Sequence, residues 1–392
     1  MLPVLQPEPL WDIVEEHLDE AEFLWELWEH SLVSPKYTLA EAEAGPKARL
    51  DAHIDALVAH CDEVAAALLL PVLASETAEP TRVSAAATAL LLSPGEGGVS
   101  AVVEALQANS SQRSAIARAI EVCDRADLPA HIGPFLHTLN LDVRDTLARV
   151  MVFKRRPLGE LLTTLLTSDR PTAQVPGLQA LLHEPATAQH RRAVLHAFRA
   201  RDPEVREAAW TAAAVLRMPQ VWPELRARAL EPGCGHALLL LALRGDSADH
   251  SLLVRALETQ EIRASALWAL SFLGTPAAVE NSIMYLEDPE CRHLAGEVFS
   301  AATGLNLDDE FMSITAQRRH STSQCYNAEV ELPTPSSEAI LRWWVAHHRT
   351  LPRYDHRMIN GTALTLSSLQ VAATNCSSRR QRAIDLAILI AT

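Results

Sequence analysis

Glycine is scarce in this 392-residue chain, with 14 in all, and aromatic residues make up only 5%. Sheet proteins need β-favouring aromatics and many glycine-bearing turns, so this poverty argues against strands. Paired cysteines are missing as well. The six lie at 61, 123, 234, 291, 325 and 376, never closer than 34 residues, and no CxxC occurs. That excludes a zinc knuckle and a thioredoxin motif, and scattered single cysteines read as reduced, buried thiols of a cytosolic protein. Long apolar runs are lacking too. "AAALLLPVLA" falls well short of the ~18 residues that span a bilayer. The opening "MLPVLQPEPLWDIVEE" has no basic segment, so it is not a secretory signal. What is abundant is Ala and Leu within a 48% hydrophobic composition, which favours helices around one long core or two to three domains.

Positive charge is nearly absent from the first fifth of the chain. Positions 1–80 hold 17 acidic and 3 basic residues, a net of −14, whereas the rest holds 32 and 31, a net of −1. Phosphate repels such a surface, so the chain is a poor general nucleic-acid binder. Anionic lipid repels it equally.

A repeat of about thirty residues follows. "DPEVREAAWTAAAVL" (202–216), "TQEIRASALWALSFL" (259–273) and "DPECRHLAGEVFSAA" (288–302) align on their Arg, and the register extends over Arg82, Arg113, Arg144, Val175, Arg206, Gly235, Arg263 and Arg292. Offsets +3, +6 and +7 from each anchor share one helix face, and of these 24 positions only Thr88 is not apolar. Offset −4 holds Asn109, Asn140, Asp202, Thr259 and Asp288, good N-caps, with Pro203, Pro232 and Pro289 suited to a first helical turn. Each unit therefore reads as two short helices, the second starting near 78–80, 109, 140, 202, 259 and 288. A single unit cannot bury its own apolar face, so the units must stack. The repeated Arg reads first as a tie between neighbouring repeats, with Asp142, Asp145, Glu204, Glu207 and Glu261 close by in sequence.

The ends differ. Trp11, Val14, Leu18, Ala21, Trp25, Trp28 and Leu32 form a heptad-like stripe on a helix of about 25 residues, with Leu50, Ile54, Leu57, Val58 and Cys61 as the partner stripe. Glu15, Glu16, Asp19, Glu22, Glu26 and Glu29 flank or oppose the first stripe and are the candidate partner-binding residues. His17 with Glu16 and Glu20 is not an HExxH zinc motif, so a solvated or docking face is the better reading. At the other end, 304–337 reads as a long irregular loop, with or without a short strand pair. "EAILRWWVAHHRTL" and "SSRRQRAIDLAILIAT" read as helices of a lid over the open end of the repeats.

The repeat resembles HEAT-like repeats. Three blocks sharpen this: "IVEEHLDEAEFLWELWEHSL…RLDAHIDALVAH", "RHLAGEVFSAATGLNL" and "LRWW…INGTALTL…RRQRAIDLA". Together they resemble a proteobacterial family of HEAT-like proteins encoded beside type VI secretion genes. The resemblance implies an all-α, right-handed α-superhelix of helix pairs, with an acidic N-terminal helical bundle (1–76), about eight repeats (77–305) and a small irregular C-terminal cap (306–392). It also implies a cytoplasmic immunity protein that neutralises a cognate type VI effector, a nuclease-type toxin, by stoichiometric binding. Neither catalytic residues nor a cofactor or metal are implied. A scaffold, adaptor or chaperone for a secretion effector is the alternative.

Enzyme readings find less support in the residues. An iron-dependent HEAT-like hydroxylase needs repeated His-Glu pairs, and "HE" occurs once, at His183-Glu184. A helical-repeat DNA glycosylase needs a positive groove with stacking aromatics. Trp210, Trp222 and Trp268 are better read as packing, and no net phosphate track accompanies them. Nothing marks a tetrapyrrole site, no GxSxG elbow occurs, and the pairs His347/His348 and His53/His60 lack further partners at ligand spacing.

Overall fold

A computed structural model describes residues 9–59, 61–138, 140–312, 331–351 and 356–392. The fold is an all-α helical repeat. Among the described residues the only strands are Met358–Ile359 and Thr362–Ala363, and no single helix is long and apolar enough to cross a membrane. Contacts divide the chain into two compact units: Ala40–His190 with the chain up to Ser31, and Arg191–Thr392 with Leu32–Leu39.

In the first unit, helix Trp11–Ser31 packs against Ala48–Val58 and Pro80–Leu92. Its apolar stripe buries Val14, Leu18, Ala21, Trp25 and Trp28, joined by Leu24 and Ser31. Trp25 and Trp28 meet edge to face at 5.7 Å. Trp11 departs from the expected stripe and is 40% exposed, because it is the first helical residue and burial begins only at Val14. The helix ends at Ser31, so Leu32 is half-buried beyond it. The partner stripe buries Leu50, Ile54 and Leu57, while Val58 is half-buried. The Cys61 side chain lies outside the described residues, as does His60. A π turn over Glu43–Lys47 takes Pro46 into this partner helix, which avoids the clash a proline causes in a regular α-helix.

All eight anchors lie on or just before a second helix. The first four are Pro80–Leu92, Arg113–Val122, Leu141–Phe153 and Pro171–Ala180, consecutive ones packing on each other within the first unit. The second unit holds Pro203–Val215, Gly235–Arg244, Gln260–Leu273 and Arg292–Thr303, packed likewise. Every +3, +6 and +7 side chain is buried except Leu182, which is half-buried. Fully burying one Leu or Ile contributes about 1.5–3 kcal/mol, so this register is the main cohesive force within each unit.

Asn140 and Asp202 cap as their residue type demands, each accepting two backbone N–H bonds in the following turn. Asn109 and Asp288 do not. Their side chains close turns instead, accepting from Gln112 N and Glu290 N, and the helices start later, at Arg113 and Arg292. Pro232 and Pro289 accordingly sit in the turns ahead of their helices, and only Pro203 occupies a first helical turn.

The anchor arginines act as ties. Arg113 Nε donates to Leu106 O, Arg206 Nη1 to Ala200 O and Arg263 Nε to Leu257 O, each carbonyl in or just after the preceding helix. Arg113 also reaches Asp142, in the first turn of the next repeat's second helix, and Arg263 reaches Asp288, in the turn ahead of the next one. Asp145 pairs with Arg144 and Arg170, so two of the five acids expected as partners serve that role.

The C-terminal region of the second unit is more than an end lid. Helix Ser337–His347 does sit at the last repeat, Trp343 meeting Phe299 edge to face at 5.3 Å. From Arg357 to Gly361, however, the chain crosses the C-terminal ends of three successive second helices. Met358 N donates to Gly274 O, and Asn360 N and Gly361 N donate to Ala301 O and Ala302 O. Gly274 and Gly304 stand with φ of +66° and +75° where a Cβ would strike Met358 O and Asn360, so only glycine allows this approach. Asn360-Gly361 then turns a two-residue hairpin through positive φ at both residues. The final helix, Ser378–Ala391, packs back on Pro203–Val215 and Gly235–Arg244. The expected irregular loop from 304 to 337 is described only at its edges, where Met312 and Pro335 form a bridge, and residues 313–330 lie outside the described residues.

Candidate docking surface

Helix Trp11–Ser31 is amphipathic because its apolar residues recur every three or four positions. Packing that stripe inward turns the six candidate carboxylates away from the core, but they do not share one fate. Arg82, from the first repeat, donates from Nη1 to Asp19 Oδ1 at 2.6 Å and to Glu22 Oε2 at 2.9 Å. Arg118, from the second, holds Glu29 through two bonds, Nε to Oε1 at 2.6 Å and Nη2 to Oε2 at 3.3 Å. Burial lowers the pKa of both guanidiniums, but these carboxylates outweigh it and hold them above the usual arginine range. Arg118 is a hub. It also pairs with Glu121 and faces the rings of Trp28 at 5.6 Å and Phe153 at 5.2 Å, while Arg149 takes the other Glu121 oxygen at 3.2 Å.

Glu15, Glu16 and Glu26 remain exposed, and they have no ion-pair partner among the described residues. Asp19 serves both sides, since it stays 68% exposed while bonded to Arg82. Among these acids stands Phe23, 57% exposed. Asp19 and Glu26 lie four residues before and three after it, hence on the same helical strip. The apolar stripe hid Phe23 from the sequence reading; an aromatic on the acidic arc was the available signal. The hub was legible in another column, since Arg118 and Arg149 both fall five residues after an anchor.

The residues weighed for chemistry are occupied structurally. Glu184 accepts from Leu158 N at 2.9 Å, and burial lowers the His183 pKa. Trp210 is buried, Arg244 covers Trp222 at 4.4 Å and Arg379 covers Trp268 at 4.1 Å, so none of the three is an open stacking platform. His347 and His348 bond the carbonyls of Trp343 and Trp344. Burial pushes the thiols of Cys123, Cys234 and Cys376 up, away from reactive thiolate, and Cys325 lies outside the described residues. A cleft of about 320 Å³ runs beside Asp124 and Phe153; of its cations Arg125, Lys154 and Arg156, the first two are engaged by the protein itself. Arg125 binds Leu91 O, Ser93 O, Gly95 O and Asp127, and Lys154 binds Cys123 O. Among the described residues no group of three or more His, Cys, Asp or Glu side chains is arranged to hold a metal ion. His17 does not meet Glu16 and Glu20 in such a group; it meets His53 across two helices, Nδ1 to Nδ1 at 3.1 Å.

Comparison with known proteins finds no family model that matches this chain and no match among curated proteins.

Proposed function

We propose that the chain works by binding rather than by catalysis, as a cytoplasmic, cofactor-free immunity protein that neutralises a nuclease-type toxic effector of a type VI secretion system by stoichiometric contact. The observation that carries this reading is the division of the first helix: part of its charge is used internally, while Glu15, Glu16 and Glu26 stay exposed around Phe23. A nuclease presents a basic cleft to its polyanionic substrate. A pre-shaped acidic face competes for that cleft, steers encounter and orients docking. The aromatic ring supplies the desolvated anchor that charge alone lacks, since rim charges tune association more than residence time. The same negative field argues against direct nucleic-acid binding by this protein.

The test measures association and dissociation rates against salt, with a purified, catalytically inactivated nuclease-type type VI effector as partner. Wild type is compared with the Glu15→Gln/Glu16→Gln/Glu26→Gln variant and with Phe23→Ala. The charge variant should lose association rate and flatten the salt slope, because exposed charges are screened within a Debye length of ~8 Å. Phe23→Ala should act mainly on dissociation. Unchanged rates and slope in both variants would remove this face as the docking surface.

A further inference from the structure

The His17–His53 contact is a pair of metal-ligating side chains, one from each of two packed helices, that the docking reading leaves unused. His17 sits on helix Trp11–Ser31 and His53 on helix Ala48–Val58, two helices packed along their length. Both rings are half-buried, 5.1 Å apart and nearly perpendicular, with an Nδ1···Nδ1 separation of 3.1 Å. We propose that this pair is a two-histidine chelate for a borderline divalent transition-metal ion, of the class of Zn²⁺, Ni²⁺ or Cu²⁺, with solvent at the remaining coordination positions.

Geometry carries the argument. Imidazole nitrogens bind such ions at about 2.0–2.1 Å, which places two ligating nitrogens ~2.9 Å apart for a right-angled pair and ~3.3 Å apart for a tetrahedral one. The observed separation falls between these, so the spacing of the nitrogens already suits an ion, and the rings need only turn until both Nδ1 lone pairs meet at one point beside the line that joins them. Two helices of a packed bundle hold them there, and a preorganised pair gains the effective-concentration advantage that a lone surface histidine lacks. The electrostatics are favourable on balance. Glu16 and Glu20 flank His17 on its own helix and the first eighty residues carry a net −14, while Arg49, one turn before His53, opposes a cation. When the ion binds, both Nδ1 lone pairs go to the metal, and the Nδ1 proton that joins the rings in its absence moves to Nε2 through solvent. The bound ion clamps the acidic helix to its neighbour and stabilises the bundle by mass action.

The experiment uses the full chain stripped with EDTA and titrated with ZnCl₂ by calorimetry, alongside His17→Gln and His53→Gln. One ion per chain is expected, with binding weakened at least about tenfold in either variant and no further in the double variant. Histidine ¹⁵N spectra of the wild type, which need no variant to fold, should show zinc on Nδ1 of both rings. Absence of saturable uptake, uptake that persists in both variants, or coordination through Nε2 overturns the proposal and leaves a simple hydrogen-bonded imidazole pair.

Discussion

Replacing Glu297 by alanine should be among the most damaging single changes in the second unit. Glu297 lies on the last repeat's second helix, and its side chain is 9% exposed. It accepts from Arg379 Nη1 and, at 3.2 Å, from Arg380 Nη1, and these two guanidiniums are themselves 10% and 12% exposed. Removing it takes from two neighbouring positive charges the carboxylate that they share. Each lost pair is an attraction of about 4 kcal/mol at 4 Å and an effective dielectric of 20. Part of this is recovered, because Arg380 keeps its bonds to Ser271 and both guanidiniums keep their aromatic faces on Trp268 and Phe272. The net loss should be about 3–5 kcal/mol, the range for breaking a buried pair from one side. Amide hydrogen exchange of Ser378–Ala391 is the assay, since it reads the docking of this helix without assuming that the whole chain unfolds in one step. Exchange faster by a hundredfold or more is expected, unchanged by 1 M salt. The Glu297→Leu/Arg379→Met/Arg380→Met variant should restore most of the protection. A loss under ~1 kcal/mol, or one that salt abolishes, would show that the triad is open to water and refute the reasoning.

Four further outcomes are expected. Trp25→Ala should destabilise the first unit by about 3–5 kcal/mol in urea unfolding, because the indole is only 2% exposed. The Glu15→Gln/Glu16→Gln/Glu26→Gln variant should leave the unfolding midpoint unchanged, whereas neutralising Asp19, Glu22 and Glu29 together should lower it, since Arg82 and Arg118 lose their partners. Arg217→Gly should stabilise the second unit by about 0.5–1 kcal/mol, because Arg217 holds a φ of +55° that glycine adopts without strain. His236 is held near a pKa of about 4, by burial first and by the Arg382 charge second. An unfolded histidine titrates near ~6.5, so between these values the unfolded state binds more protons and stability falls as pH falls. The loss should total about 3 kcal/mol between pH 6.5 and 4 and shrink in His236→Asn.

The repeat was legible because its information is local and redundant. Eight copies of one amphipathic face average out the exceptions, so the apolar offsets placed every second helix and one buried face of it. Caps were legible only as residue types. Asn140 and Asp202 begin helices, whereas Asn109 and Asp288 close turns, and the choice depends on where the following backbone must go to meet the preceding repeat. The acidic face was legible as composition, but its division was not. Which carboxylates are paired depends on Arg82 and Arg118, more than fifty residues away along the chain.

Periodicity and composition by themselves determined the helical class, the register of the repeats and the concentration of negative charge at one end, because each arises from neighbours along the chain. Tertiary structure alone decided the rest. It drew His17 to His53 and left Phe23 exposed among carboxylates. It also laid Arg357 to Gly361 across three helix ends, where the five Arg357 donors meet the carbonyls of residues 242–244, 272 and 273. Among the described residues no carboxylate pairs with that guanidinium. Its partners are backbone carbonyls that helix ends leave unsatisfied whatever the side chains, so only the packed structure could identify them.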